Sequence, residues 1–197
     1  MVDRFSSLFG PYPFEVYGVL VVPDRLGFAI ENQTLSLFDA SSLVGDPEAV
    51  AAHELAHQWF GDSVSLQRWS DVWLKEGFAT YAEALWFEQS RPGYDIDGEM
   101  ARLRTTVADA GPIASPSRTA LYGTAVYQRG ALTLHALRRT IGDGPFFTVL
   151  QRWTDLHRNA NAGTEQFVAL ASEVAGRPLD AFFRAWLSDR QMPALPR

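Results

Sequence analysis

The sequence predicts an α+β fold: a small N-terminal β portion followed by a mostly α-helical bundle. Three observations carry this. β-branched and aromatic residues gather at positions 16–22 and 28–38. From position 46 onward, apolar residues recur at helical spacing. Glycines and prolines cut that second part into pieces of helix length, and strands followed by helices is the α+β order.

Taken in order, residues 5–13 mix aromatics with Gly10, Pro11 and Pro13 and read as an irregular lead-in. Residues 16–22 read as a strand closed by Pro23-Asp24. Residues 28–32 and 34–38 read as one further strand or a pair, with Glu31 as a charge inside an apolar run. Residues 39–45 are a small-residue loop. Asp46-Pro47-Glu48 is a helix start, with Asp as cap, Pro in the first turn and an acid at the positive end. That helix is expected to run to Gly61, and residues 62–69 to hold one brief strand around Val64 and Leu66.

Asp71 is expected to open a second helix through about Gln89, on which Trp73, Leu74, Phe78, Tyr81, Leu85 and Trp86 recur at helical spacing. Glu76 falls in its second turn, before Gly77. Helices are also expected over 97–110, 122–141, 146–158, 165–175 and from Pro178 to Leu187, with loops at 111–118 and after Gln191. Gly142-Asp143-Gly144-Pro145 reads as a break.

The totals bound the function. With 197 residues and 47% hydrophobic residues the chain can build a real core. A net charge of -6 without a basic stripe argues against nucleic acid. There is no cysteine, so disulfides and thiolate metal sites are excluded. No apolar run approaches 18 residues, so no membrane segment is expected. Met1-Val2-Asp3-Arg4 does not open a signal peptide, which favours a cytoplasmic setting. Oligomeric state is left open.

The chemistry centres on His53-Glu54-Leu55-Ala56-His57. Residues four apart share a helix face, so His53 and His57 aim two imidazoles at one point. That suits a zinc ion, with Glu54 placed to reach a metal-bound water as general base. Leu55, Ala56, Trp59 and Phe60 make this helix apolar on most sides, and a buried His-Glu-His cluster without a partner would be costly. Catalytic zinc wants three protein ligands. Phe60 and Ser63 stand where an extended metzincin motif has Gly and His, and His135 and His157 read as structural or surface residues. Glu76, eighteen intervening residues beyond His57, is the better third ligand, and Gly77 after it permits close helix approach.

The stretches HELAHQWFGD and WLKEGFATYAE resemble the zinc-binding core of the aminopeptidase N family of gluzincin peptidases. The resemblance implies a thermolysin-like zinc-peptidase catalytic domain with one Zn2+ on His53, His57 and Glu76, and Glu54 as the catalytic base. Phe28-Ala29-Ile30-Glu31-Asn32 is similar to that family's Gly-x-Met-Glu-Asn motif, with Phe28 and Ile30 as departures. It implies a substrate-binding strand of Ala29, Glu31 and Asn32, with Glu31 on the free α-amino group of a peptide. Val126-Tyr127-Gln128-Arg129-Gly130-Ala131 resembles the family's tyrosine motif, with Arg129 for the usual Lys. It implies that Tyr127 donates its hydroxyl to the oxyanion.

The likeness runs from Phe9-Gly10-Pro11-Tyr12-Pro13 to Phe183-Arg184-Ala185-Trp186-Leu187. The chain therefore reads as the catalytic domain alone, a fragment without the β-rich domain before it or a helical domain after it. The implied activity is release of the N-terminal residue from peptides with a free N-terminus. An endopeptidase, an epoxide hydrolase and a catalytically incomplete zinc-binding domain are the alternatives.

Overall fold

The computed structural model describes residues 1–196. The chain opens with a helix, α1 (Val2–Phe9), where an irregular segment was expected. Phe5, Leu8 and Phe9 fall on one face and are buried, and Gly10, at φ 98°, ends the helix. Burial of that aromatic face outweighs the Gly-Pro punctuation that follows it. Phe5 packs edge-on against Trp59 and Trp86, which ties α1 to the centre of the molecule.

β1 (Gly18–Val22) and β2 (Leu35–Asp39) pair in parallel, Gly18 opposite Leu35 and Val22 opposite Asp39. The expected strand over 28–32 shrinks to one residue: Ile30 bridges Leu37 antiparallel on the other side of β2. Glu31 thus lies in a hairpin turn and not inside a strand. A second parallel pair joins β3 (Val64–Leu66) to β4 (Ala160–Ala162). β4 carries no β-branched or aromatic residue, which is why its sequence did not announce it.

α2 (Pro47–Ala56) starts as expected, with the Asp46 carboxylate accepting from the Ala49 N–H at 3.3 Å. It ends four residues before Phe60, so His57 sits at its C-terminal cap, and turns carry the chain to Gly61. Asp71 does not open the next helix. It closes a 3-10 turn over Trp69–Asp71, and its carboxylate accepts from the Thr164 N–H and hydroxyl at the start of a later helix. α3 (Trp73–Ser90) follows, which puts Glu76 in the first turn and not the second.

The rest is helical: α4 (Ile96–Thr106), α5 (Thr124–Ile141), α6 (Asp143–Leu156), α7 (Thr164–Ala175) and α8 (Asp180–Leu187). The expected break at 142–145 is confined to Gly142. Gly144 and Pro145 lie in the first turn of α6, where a missing N–H costs nothing. α3 and α5 cross with their backbones touching at Gly77 and Gly130. The core around them is aromatic: Phe60 stacks on Phe78 with centroids 4.4 Å apart, and Phe167 meets Trp73, Phe78, Trp153 and Phe183. Arg129 is fully buried on α5 and donates to the carbonyls of Ala110, Gly111, Trp186 and Asp189, which fastens α5 to α8 and to the 110–111 loop. No described helix is long and apolar enough to cross a membrane.

Candidate metal centre and active site

The α2–α3 contact brings His53, His57 and Glu76 together. Glu76 Oε2 lies 3.4 Å from His53 Nε2 and 3.4 Å from His57 Nε2. Two ligands about 2.0–2.1 Å from a tetrahedral ion stand roughly 3.3–3.4 Å apart, so this spacing suits zinc. The three ligand atoms all fall within 4.8 Å of one another, and among the described residues no other group of three or more His, Cys, Asp or Glu does this.

Each imidazole is oriented by a partner on its far nitrogen. His53 Nδ1 lies 2.7 Å from Glu83 Oε1, and His57 Nδ1 lies 3.0 Å from the Phe60 carbonyl. Both partners are acceptors, so Nδ1 of each ring carries a proton, and Nε2, turned toward Glu76, is the atom a metal would take in place of a proton. Sequence reasoning missed both. Glu83 had a legible signal, because it falls two turns beyond Glu76 on the same helix face. The Phe60 carbonyl had none, since it depends on how the chain turns after α2.

The electrostatics fit a cation. Against burial, which works the other way, Glu76 and Glu83 push His53 up to about 10. Against the same opposition, hydrogen bonds from His53 and His57 hold the Glu76 carboxyl far below the usual carboxylate range. The cluster draws a proton onto His53, whereas burial lowers His57; a divalent ion placed among the three would meet the same negative potential.

Glu54 is almost fully buried, and burial pushes its carboxyl up to about 7, with Glu31 and Glu76 adding to the rise. Tyr127 stacks on His53, ring centroids 5.9 Å apart and planes 17° apart. Burial, then Glu76, raises its hydroxyl above the ordinary tyrosine value, so it stays a donor. The α3–α5 crossing is what carries Tyr127 to this place.

Glu31 approaches the same centre from the turn after Ile30. Its carboxylate is ion-paired with the Lys75 ammonium, which also lies 3.2 Å from Glu76 Oε1. Lys75 is the residue before Glu76, and sequence reasoning passed over it. Asn32 meets the turn after α2 through its main-chain carbonyl, which accepts from Gln58 Nε2 at 3.4 Å. Ala29 stands partly exposed one residue before the Ile30 bridge and makes no side-chain polar contact.

Two clefts lie beside Lys75 and Tyr122. One of 390 Å³ is lined by Glu31, Asp62, Leu66, Arg68, Trp69 and Lys75. The other, of 580 Å³, lies between Trp69 and Tyr122 with Arg118 and Leu121. The Lys75 ammonium stands 5.8 Å over the Tyr122 ring, close to both. A larger concavity, 870 Å³ along α7 and α8, shares no residue with the cluster.

The comparison with known families is decisive here: the Peptidase family M1 domain matches residues 4–186. The chain belongs to peptidase family M1. This is the aminopeptidase N family of zinc metallopeptidases. The M1 zinc metallopeptidase from Deinococcus radiodurans superposes with a TM-score of 0.91 at 37% identity, covering 100% of this chain and 44% of that one. One of its structures is bound to a Tyr-Ser-Ala substrate. Aminopeptidase M1 of Arabidopsis thaliana is 27% identical over 98% of this chain and 25% of its own length. Aminopeptidase N of Caulobacter vibrioides is 28% identical over 93% of this chain and 24% of its own length. The M1 domain thus spans about a quarter of the curated relatives it matches.

Proposed function

We propose that this M1 domain hydrolyses the N-terminal peptide bond of peptides that carry a free amino group, on a thermolysin-like catalytic scaffold with one zinc ion. The observation that carries the reading is the convergence of His53, His57 and Glu76, with the Nδ1 atoms of both imidazoles already engaged by acceptors. Zinc in that site supplies Lewis acidity and brings the pKa of water toward neutrality.

The chain's own residues do the rest. Glu54, buried and raised to about 7, takes a proton from the attacking water and returns it to the leaving amine. Tyr127 donates its hydroxyl to the oxyanion that develops on the scissile carbonyl. Glu31 receives the substrate's α-ammonium, with Ala29 and Asn32 flanking it on the turn segment that borders the substrate. The Lys75 ammonium already makes that contact with Glu31, which supports a cation-binding role for the carboxylate. An incoming amine joins or displaces it. The Tyr-Ser-Ala substrate in the Deinococcus radiodurans neighbour, and the L-arginine bound in another M1 structure, agree with a site for peptide ends.

The test pairs metal analysis with cleavage of fluorogenic aminoacyl amides and their N-blocked forms. The expected result is one zinc per chain, turnover of the free forms only, and a Glu54→Gln variant that keeps zinc and loses nearly all turnover. Zinc without turnover, or equal cleavage of blocked and free substrates, would defeat the proposal.

A further inference from the structure

The side-chain amide of Gln58 is wholly buried and fully engaged. Its Oε1 accepts from the Thr34 N–H at 2.8 Å and from the Tyr12 hydroxyl at 3.2 Å. Its Nε2 donates to Asp62 Oδ2 at 2.8 Å and, at longer range, to the main-chain carbonyls of Glu31 at 3.3 Å and Asn32 at 3.4 Å. Three of these five partners lie in the turn 31–34. That turn is closed by the Leu35 N–H on the Asn32 carbonyl, and by Ile30 and Leu37 exchanging hydrogen bonds at 2.9 and 2.8 Å.

Two further observations give the amide a purpose beyond filling space. Thr34 has φ 65°, a left-handed backbone that a β-branched residue takes up only when its surroundings hold it there. Gln58 catches its N–H, and the Gly18 N–H donates to its carbonyl at 2.8 Å. Gln58 also directly follows His57, the C-terminal cap of α2, so its amide is anchored next to a candidate metal ligand. The turn that presents Glu31 is thereby hung from the segment that presents a metal ligand.

We propose that Gln58 is the positioning residue that sets the distance between Glu31 and the metal centre, and so how far from a peptide's amino end the bond is cut. The inference rests on the reading of Glu31 as the ammonium anchor. It requires Gln58 to act on amine recognition more than on the chemical step, because Glu54 on α2 and Tyr127 on α5 do not take their places from the turn 31–34 that Gln58 holds.

The test uses zinc-loaded protein and three readouts: metal content, the KM and kcat for a free aminoacyl amide, and calorimetric Kd for a free amino acid. Gln58→Leu keeps the volume and removes every polar contact. It is expected to keep one zinc, to raise KM and Kd by about tenfold or more, and to change kcat by a smaller factor. Gln58→Glu keeps the two acceptor contacts but turns a carboxylate on Asp62 and on the carbonyls of Glu31 and Asn32. It should weaken Kd, and adding Asp62→Asn, which repairs only the contact at 62, should recover no more than part of the loss.

If Glu31→Ala leaves Kd unchanged, the anchor reading fails. If Glu31→Ala weakens Kd while a folded Gln58→Leu binds as the parent does, the inference on Gln58 is overturned and the anchor survives. Where Gln58→Leu does not fold, Gln58→Glu decides: a folded Gln58→Glu that binds as the parent does overturns the inference.

Discussion

The backbones of Gly77 and Gly130 are in contact: a methyl group added to Gly77 would lie 2.7 Å from the Gly130 Cα. One residue before Gly77 is Glu76, and three before Gly130 is Tyr127. The closeness of α3 and α5 at this point is therefore what puts the third candidate ligand and the tyrosine hydroxyl on one site. In Gly77→Ala, forced overpacking costs typically about 1–3 kcal/mol. Here backbone lies on both sides, so that cost exceeds the roughly 1 kcal/mol that Ala gains over Gly in a helix. Thermal denaturation should show a lower midpoint, and kcat should fall further than zinc content as Tyr127 is pushed away. An unchanged midpoint would mean that the crossing relaxes freely.

The Glu83 carboxylate orients His53 from 2.7 Å. Loss of such an outer partner typically weakens metal affinity by about 10–100-fold. Glu83→Gln should therefore lose zinc to a competing chelator at lower chelator concentrations than the parent, with the fold intact by circular dichroism. Equal retention would show that His53 holds its orientation without help.

Tyr127→Phe removes one donor from a preorganised site. The expected loss is about 2.7–4 kcal/mol of barrier, or roughly 10²–10³ in kcat. KM should move much less. If KM rises and kcat holds, Tyr127 binds substrate and does not stabilise the oxyanion.

Lys75 neutralises Glu31 and Glu76 together. Lys75→Met leaves both carboxylates facing the site without their cation, so a substrate ammonium meets less competition at Glu31. The KM for a free aminoacyl amide should fall severalfold while that of a blocked substrate does not. A rise in KM would instead assign Lys75 the task of holding Glu31 in place.

His135 is buried and neutral. Its Nδ1 accepts a hydrogen bond from the Tyr81 hydroxyl at 3.2 Å, and its Nε2 faces Asp97 at 3.1 Å. Burial lowers it to about 4, with Arg138 and Arg139 adding to the fall and Asp97 opposing it. The unfolded value of about 6.5 is higher, so the unfolded chain takes the proton first. The stabilisation is complete above about pH 6.5 and is lost as pH falls from there towards 4. Denaturant midpoints measured across that window should drop more steeply for the parent than for His135→Gln. Parallel curves would place the acid sensitivity elsewhere.

What could be read in the linear chain was whatever a single helix decides by its own period. His53, Glu54 and His57 follow from a spacing of four, and the arrangement of α2 to α8 follows from apolar periodicity and turn residues. Glu76 was legible because the connection after His57 is short enough to return the chain beside α2. The first helix was not, because Gly10, Pro11 and Pro13 punctuate its end while the aromatic partners of Phe5 and Phe9 lie tens of residues away. β4 was not, because its pairing with β3 is made by backbone groups that any residue carries.

Tertiary structure alone decided the surroundings of the candidate metal ligands: Glu83 and the Phe60 carbonyl on the two imidazoles, Lys75 between Glu31 and Glu76, and Gln58 on the turn 31–34. The hydrogen bond from Gln58 to Glu31 spans 27 residues, and the contact of Gly77 with Gly130 spans two helices. Local spacing sets which side chains share a face of one helix. Which groups then meet across faces is set by packing, and that depends on the shape of every core side chain at once.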